Sequence, residues 1–530
     1  MTTPEPGFVP EAGEEPAERR RPTVRGALVV GARTTTALIG AGVAVVAVLA
    51  AATLQIPTWS ASPSSMVVVP EAAAGRLVCA GALLRLADDS GADASSASPI
   101  ATPTTTIAGA VDAVPIAQSD AGTGGTDDAP VVLEFSAGLA GAPSLAAGAQ
   151  EARVAVGDVQ GLATTTCAPP AGRQWLIAGA TTVGRTTLLT ITNPTTVAAV
   201  VDLTVLDEGG PVTAAGLTGV DVPAGAQRVI PLAGFVLDAA SLAVLVTSTG
   251  GNVVAALQSS TIRTLQPGGL DLTTASASAS TTQIIPGIAV ADGRALRALQ
   301  DGGAGYADTV TSVRLVAPPG GGDVAAEIVL VPDGMTVDEA RAAAAANPVV
   351  EGGEGAANAA VDLSVPAARV IRAEVADGRV VDVPIPNVGT GRYTAVVTST
   401  TPFLAAARVS SSGAAGVDFA WVPSATPLAE LTVVAVPGPA TSTASSLVIA
   451  NPSTVDALVT VTVTDEQGAE VDVTVPAGTS VSTPVPAGAT LRLDGGLGLV
   501  AAIVTGGDGL LAVSPVQPPA AASRPVTVYP

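Results

Sequence analysis

The stretch NPTTVAAVVDLTVLDEGG, from Asn193 to Gly210, recurs as NPSTVDALVTVTVTDEQG, from Asn451 to Gly468. The two align without a gap at an offset of 258 residues, and 11 of the 18 positions are identical. In both copies apolar residues, many of them β-branched, alternate with polar ones. A period of two is typical of strands that bury one face. The pattern therefore predicts β-structure that is repeated along the chain.

The likeness extends beyond these stretches, because VPAG recurs at Val222 and Val475 and a weaker middle copy begins at Val313. Turn sequences separate the strands about every ten residues, as in β-sandwich domains. We expect an all-β fold of tandem immunoglobulin-like β-sandwich domains, with a barrel in each unit as the alternative. The predicted limits are residues 171–267 for repeat 1, 268–415 for repeat 2 and 416–530 for repeat 3.

The enlarged middle unit contains the sequence TVDEARAAAAANP, which starts at Thr336. Thr336 and Glu339 have the spacing of a capping box, the alanine run favours a helix, and Pro348 would end it. We expect a helical insertion on the surface of repeat 2. The neighbouring residues 351–360 are predicted to form a loop.

The start of the chain predicts a membrane anchor. Residues 1–36 are polar and are expected to form a disordered cytoplasmic tail. Residues 37–56 carry no charge and are long enough, as a helix, to span a bilayer. Arginine precedes this segment, so the positive-inside rule places the N-terminus in the cytoplasm and the bulk of the chain outside. The prediction is a single-pass plasma-membrane protein, and a cleaved signal peptide is the alternative.

Both cysteines, Cys79 and Cys167, follow the apolar segment. Outside the cytoplasm a cysteine pair tends to be oxidised, so we predict a structural disulfide, with two separate thiols as the alternative. It would lie in a membrane-proximal β region, residues 57–170. The stretch 87–129 of that region has little patterning and is predicted to be a flexible insert.

Composition excludes several classes of function. The chain of 530 residues has a net charge of -22 and contains neither His nor Lys. Nucleophilic sites with a His base, Schiff-base chemistry, His-ligated metals and the Walker A phosphate loop are therefore excluded. The negative charge also argues against a nucleic-acid partner. We expect no enzyme activity and assign no catalytic, cofactor-binding or metal-binding residue.

Two acid-based chemistries remain open. Paired carboxylates could hydrolyse glycosides, but no pair stands out in the sequence. Acid-rich stretches that begin at Ala87, Thr126 and Val290 could bind calcium, although none has the spacing of an EF-hand loop. The Asp-Gly pairs are predicted to be hairpin turns. The Asn-Pro pairs at Asn193 and Asn451 are predicted to be turns between strands, with a ligand site as the alternative.

The sequence also resembles a known family. The resemblance rests on CAGALLRL from Cys79, on CAPPAGRQWLIAGATTVGRTTLLTITNP from Cys167 and on VTSTGGNVVAALQ from Val246. These segments are similar to the actinobacterial domain-of-unknown-function family 5719. The resemblance implies a membrane-anchored envelope protein, and it brings no known activity or catalytic residue.

These observations lead to one functional expectation. The chain should be a non-enzymatic, extracytoplasmic binding or scaffold protein of the bacterial cell envelope, with an envelope protein or a glycan as partner and no cofactor. An accessory role in cell-wall or surface-polysaccharide assembly would fit that location. The alternative is a carbohydrate-active or calcium-dependent adhesive ectodomain.

Overall fold

The computed structural model describes residues 66–68, 75–86, 97–118, 120, 126–136, 145–347, 362–438, 444–464, 468–518 and 526–528. The predicted tail (1–36), the predicted membrane segment (37–56) and the predicted loop (351–360) lie outside these residues. Among the residues that the structure does describe, no helix combines the length and the apolar character needed to cross a membrane.

The chain divides into two units, residues 1–68 with 526–530, and residues 69–525. In the first, strands β1 (Met66–Val68) and β35 (Val526–Val528) pair antiparallel. The second is all-β, in sheets of the β-sandwich kind. Its first strands are β2 (Gly75–Cys79), β3 (Leu83–Leu86), β4 (Ala97–Ala101), β5 (Thr104–Ala108), β6 (Asp112–Pro115), β7 (Ala117–Gln118), β8 (Val131–Phe135), β9 (Ala147–Val156) and β10 (Val159–Thr166).

Three sets of strands follow. The first set is β11 (Arg173–Ile177), β12 (Arg185–Asn193), β13 (Ala199–Asp207), β14 (Gly210–Pro211), β15 (Val220–Val222), β16 (Ala226–Pro231), β17 (Ala243–Gly250), β18 (Val254–Arg263) and β19 (Gln266–Thr273). The second set is β20 (Ser280–Val290), β21 (Ser312–Val316), β22 (Val324–Pro332), β23 (Arg369–Val375), β24 (Val380–Pro384), β25 (Gly391–Gly413) and β26 (Gly416–Pro423). The third set is β27 (Leu431–Ala435), β28 (Ala444–Ala450), β29 (Ala457–Val463), β30 (Glu470–Val475), β31 (Ser480–Val485), β32 (Thr490–Asp494), β33 (Val500–Gly507) and β34 (Leu510–Pro515).

The three sets share one strand order. Counting β14 and β15 as one strand, and the 23-residue β25 as the sixth and seventh strands joined, each set has eight. The first, sixth, third and fourth strands form one sheet in that order, and the fifth, second, seventh and eighth form the other. In an immunoglobulin domain the first strand lies beside the second, and the seventh beside the sixth. Here those two outer strands are exchanged between the sheets, while the inner pairs are kept.

The strands run past the limits predicted for the repeats. Strand β19 continues beyond residue 267 and pairs with β18, and β26 follows residue 415 and pairs with β25. Each is the eighth strand of its set, joined by a hairpin to the seventh.

Each set encloses an apolar core, and neighbouring sets also pack on one another. Trp175 is buried in the first core, where Phe419 and Trp421 of the second set join it. Val504 and Val513 of the third set in turn pack into the second core. Trp175 and Trp421 are thus both buried in the apolar interior.

The prediction of a flexible insert is wrong for residues 97–118, which form β4 to β7. Strand β5 pairs with β9, and β6 pairs with β8, so the flanking strands complete these otherwise weakly patterned segments. The region before the repeats packs against the first set of strands. There the Leu84 amide donates to Oε1 of Gln258 at 2.8 Å. Residues 87–96 lie outside the described residues.

A disulfide joins Cys79, at the end of β2, to Cys167, which follows β10. Both cysteines are buried in one small apolar cluster with Leu77, Leu133 and Phe135. The bridge therefore ties the first strand of this region to its last, across a sequence separation of 88 residues.

Two helices interrupt the second set. Helix α2 (Val337–Ala346) begins at the predicted capping box, since the Glu339 amide donates to the Thr336 hydroxyl at 3.3 Å and the Thr336 amide donates to Oε2 of Glu339 at 2.8 Å. Helix α1 (Gly293–Gly302) corrects the prediction that Asp292-Gly293 and Asp301-Gly302 are hairpin turns. Asp292 instead caps α1, because its Oδ1 accepts the amides of Arg294 and Ala295 at 3.0 and 2.9 Å.

The buried carboxylate of Asp418, in β26, links strands from across the chain. Its Oδ1 accepts the amides of Leu270 at 3.1 Å and Phe419 at 3.0 Å. Its Oδ2 accepts those of Leu162 at 2.9 Å and Leu511 at 3.2 Å. Burial raises the pKa of Asp418 to about 8, although the four N–H donors act in the opposite direction. One side chain thus connects the region before the repeats with all three sets.

Candidate functional site

A cleft of about 370 Å³ lies between the first and second sets of strands. Its charged lining comes from separate elements: Arg185 begins β12, Arg314 lies in β21, Asp382 in β24 and Arg408 in β25. Asp308 comes from a 3-10 turn, Ala304–Thr309, that follows α1. Strand pairing therefore fixes the Arg side chains, and the turn brings a carboxylate to them.

Asp308 is the centre of the cluster. Arg263 donates two hydrogen bonds to its carboxylate, from Nε to Oδ1 at 3.1 Å and from Nη2 to Oδ2 at 2.7 Å. Nη2 of Arg185 and Nη2 of Arg408 also reach Oδ2, each at 3.0 Å. Nη1 of Arg408 donates to the Asp308 carbonyl as well. Burial alone would raise the pKa of Asp308, but the three guanidinium groups outweigh it and lower that pKa.

Arg314 is the deepest charge in the cleft, with 1% of its side chain exposed. Its Nε and Nη2 donate to the two carboxylate oxygens of Asp382 at 2.6 and 2.8 Å. Its Nη1 donates to the carbonyls of Gly179 and Leu242 at 2.7 and 2.9 Å. Such a fork-to-fork pair with every donor used is rigid, so Arg314 shapes the cleft floor.

Aromatic rings support the guanidinium groups. Arg314 stacks over Trp421 at 4.2 Å, and Arg408 stacks over Phe419 at 4.4 Å. Both rings come from β26 and point to the same face, because they are two residues apart. Stacking holds the planar cations in place and leaves their edges free for hydrogen bonds.

The cluster has more positive than negative charge. Four arginines (185, 263, 314 and 408) face two aspartates (308 and 382), which leaves two positive charges in a chain whose net charge is -22. Burial, together with the nearby Arg185 and Arg263, lowers the pKa of Arg408 to about 10, although the carboxylates of Asp308 and Asp382 act in the opposite direction. The buried Nη1 of Arg185 has no hydrogen-bond partner among the described residues. The cleft is therefore suited to binding an anion.

Acid should destabilise the fold through Asp308 and Asp382. Burial raises the pKa of Asp382, but Arg314 outweighs it, so both pKa values lie below the ordinary 3.8. As the pH falls, the unfolded chain therefore protonates these two carboxylates before the folded chain does. The stability that the ionised carboxylates contribute above pH 3.8 is lost as the pH falls through their pKa values in the folded chain. Denaturant unfolding of wild type and of Asp308→Asn at acidic pH measures this. The unfolding free energy of the variant should fall less steeply with decreasing pH than that of the wild type. An equal fall in the two proteins would contradict the prediction.

The Asn-Pro pairs form turns, as predicted. Asn193 is buried, and its Nδ2 donates to the carbonyls of Val197 and Val222 at 2.8 and 3.0 Å. Its Oδ1 accepts the Thr195 amide at 3.0 Å and the Thr195 hydroxyl at 2.7 Å. Asn451 makes the same four bonds, at the same distances, to Val455, Val475 and Ser453. With all its polar atoms used, each Asn side chain is structural.

Replacing Asn193 by Ala should therefore cost about 2–3 kcal/mol of unfolding free energy, because two carbonyls lose their donor. Denaturant unfolding of the full-length protein measures the cost. The matched control is Asn252→Ala, at an exposed position, where we expect a change within about 0.5 kcal/mol. Equal effects of the two substitutions would show that the bonds do not hold the turn.

The acid-rich stretches do not come together as a metal site. Within the parts of the chain that the structure describes, no three acidic or cysteine side chains are grouped so that they could hold a metal ion. The stretch at Ala87 lies outside the described residues. In the stretch at Val290, Asp292 caps α1, Asp301 pairs with Arg297 at 2.9 Å, and Asp308 belongs to the Arg cluster.

The sequence reasoning missed the arginines of the cleft. A signal was present, since Arg314 interrupts the apolar run SVRLV and Arg408 follows three alanines in a strand pattern. An arginine on the inward face of a strand must find buried partners, so its position indicates a buried charge network. The partners, Asp308 and Asp382, could not be assigned from sequence because they lie far apart in the chain.

The model of the family described as "Family of unknown function (DUF5719)" matches residues 121–486, more than half of the chain. The chain belongs to this family. The match spans the first two strand sets entirely, and with them every residue of the Arg cluster. No curated protein matches the chain.

Proposed function

We propose that the chain is a non-enzymatic, membrane-anchored protein of the cell envelope that binds or scaffolds other components outside the membrane. The observation that carries the proposal is the Arg-rich cleft between the first two strand sets. Its guanidinium groups remain protonated at neutral pH, so they attract and orient a partner rather than exchange protons with it. Its three arginines are held by Asp308 and Asp382, and two of them also stack on aromatic rings, which is the preorganisation that binding requires.

Two further features support the location. The uncharged segment 37–56, preceded by arginine, has the length and flanks of a signal anchor. The Cys79–Cys167 disulfide suits an oxidising compartment, such as the outside of the plasma membrane. Such an anchor would put the cleft in the same compartment as an envelope protein or glycan.

We also propose that the repeats are divergent immunoglobulin-like domains. The pairing of the second strand with the fifth, and of the third with the sixth, supports this relationship. The exchange of the first and seventh strands between the sheets would be the departure from the common pattern.

In-cell photo-crosslinking tests the proposed role. A photo-reactive residue replaces Val183, which is fully exposed and lies on the cleft rim between Thr182 and Arg185. The control places the same residue at Val455, which is exposed on the Asn-Pro turn of the third set. We expect Val183, and not Val455, to capture a recurrent envelope protein or glycan. Equal capture from both positions, or none from Val183, would contradict a binding role for the cleft.

A further inference from the structure

We propose that the cleft binds a phosphorylated sugar, with the phosphate at the unpartnered edge of Arg185 and the sugar hydroxyls along β18. This inference deepens the proposed binding role and rests on it.

Charge supports a dianion. The Arg cluster as a whole, counting Arg263, which pairs with Asp308 without lining the cleft, holds two more guanidinium groups than carboxylates. A phosphate monoester carries nearly two negative charges at neutral pH. Arg185, Arg263 and Arg408 crowd around a single oxygen, Oδ2 of Asp308, at 2.7 to 3.0 Å. One carboxylate cannot neutralise three cations, so a second anion beside them would relieve their mutual repulsion.

Geometry locates the anion beside Arg185. Its Nη2 is bound to Asp308, whereas its buried Nη1 has no partner. A buried N–H without an acceptor is costly, and a guanidinium edge matches the oxygens of a phosphate. Arg185 lies at the edge of the cluster and keeps 23% of its side chain exposed. Nη1 itself has no exposed surface, so a ligand in the cleft would reach it through a turn of the Arg185 guanidinium, without displacing Arg314 or Arg408, which are paired with Asp382 and Asp308.

The remainder of the lining suits a sugar. Ser259, Ser260 and Thr261 are consecutive residues of β18 in the cleft wall. The Ser259 hydroxyl is buried and has no partner among the described residues. A volume of about 370 Å³ falls in the range of small-molecule sites and exceeds what a bare ion needs. Alternate residues of a strand face the same side, so the Ser259 and Thr261 hydroxyl groups share a face with Arg185, where the ring hydroxyls of a sugar would lie.

Isothermal titration calorimetry on the full-length protein tests the inference. The protein is held in a detergent that contains neither sugar nor phosphate, and the probes are glucose 1-phosphate, glucose, glucuronate and inorganic phosphate. Arg185→Gln removes the proposed phosphate contact and should still fold, since Asp308 keeps two arginines. The matched control is Arg173→Gln, which is exposed at the start of β11. Arg173 does not line the cleft.

We expect glucose 1-phosphate to bind one to one and more tightly than the other three probes. Its Kd should rise about tenfold or more in Arg185→Gln, as for one lost charge-assisted hydrogen bond, and stay unchanged in Arg173→Gln. If glucose binds as tightly as glucose 1-phosphate, the phosphate contact is overturned. If glucuronate binds as tightly, the choice of phosphate over carboxylate is overturned. Equal binding of inorganic phosphate would overturn the sugar.

The two proposals fail in different ways. If no probe binds while Val183 still captures a partner in cells, the sugar-phosphate assignment is overturned and the binding role stands. If neither binding nor capture occurs, both are overturned.

Discussion

Asp418→Ala should lower the free energy of unfolding by more than about 4 kcal/mol, because four buried N–H groups lose their acceptor at about 1–3 kcal/mol each. The donors belong to Leu162, Leu270, Phe419 and Leu511, which lie on four different strands. Loss of their shared acceptor should loosen the contact between the region before the repeats and the three strand sets. Denaturant unfolding of the full-length protein measures the change.

The control for this substitution is Asp158→Ala, in the exposed turn between β9 and β10, where we expect a change within about 0.5 kcal/mol. The pH dependence gives a second readout. Burial raises the folded-state pKa of Asp418 to about 8, above the ordinary 3.8, so its contribution to stability should fall as the pH rises between those values. The variant should lack that component. A small effect of Asp418→Ala with an unchanged pH profile would contradict the role given to this carboxylate.

Removing the disulfide should have the second large effect. The double variant Cys79→Ala/Cys167→Ala opens a loop whose ends are 88 residues apart in sequence. The chain-entropy estimate for such a loop is about 4–5 kcal/mol. Reduction of the wild-type protein should lower the unfolding free energy by a similar amount.

The control is the double variant itself, whose stability should not respond to reductant. Alkylation of thiols before cell lysis adds a test of the compartment, because a bridge formed outside the cytoplasm leaves no free thiol to label. Free thiols on the wild-type protein in cells, or equal stability of oxidised and reduced protein, would contradict the prediction.

Local pattern predicted the parts of the fold that depend on neighbouring residues. Alternation in the stretch after Asn193 indicates strands, and the spacing of Thr336 and Glu339 indicates a helix start; both are confirmed. The prediction that Asp-Gly pairs form hairpin turns is confirmed at Asp508-Gly509, where both residues have positive φ in the hairpin between β33 and β34. It failed at Asp292, because the same residue type also caps helices.

The disulfide was predictable because the chain has only two cysteines, but the other features that depend on distant residues could not be predicted. The Arg cluster joins residues from Arg185 to Arg408, and no local pattern relates Asp308 to either of them. The strand order also depends on distant residues, because the exchange of the first and seventh strands is set by packing between the sheets. The strands at 97–118 form because flanking strands pair with them, which their own weak pattern does not reveal.

The central claim is that the chain acts by binding through its cleft, and the most direct test asks whether in-cell capture depends on the cleft's own charge. Photo-crosslinking from Val183 is repeated in chains that carry Arg185→Gln or Arg173→Gln. The account predicts that Arg185→Gln abolishes the capture of the recurrent partner and that Arg173→Gln leaves it unchanged. Undiminished capture in Arg185→Gln, with the protein folded and at normal abundance, would contradict the account.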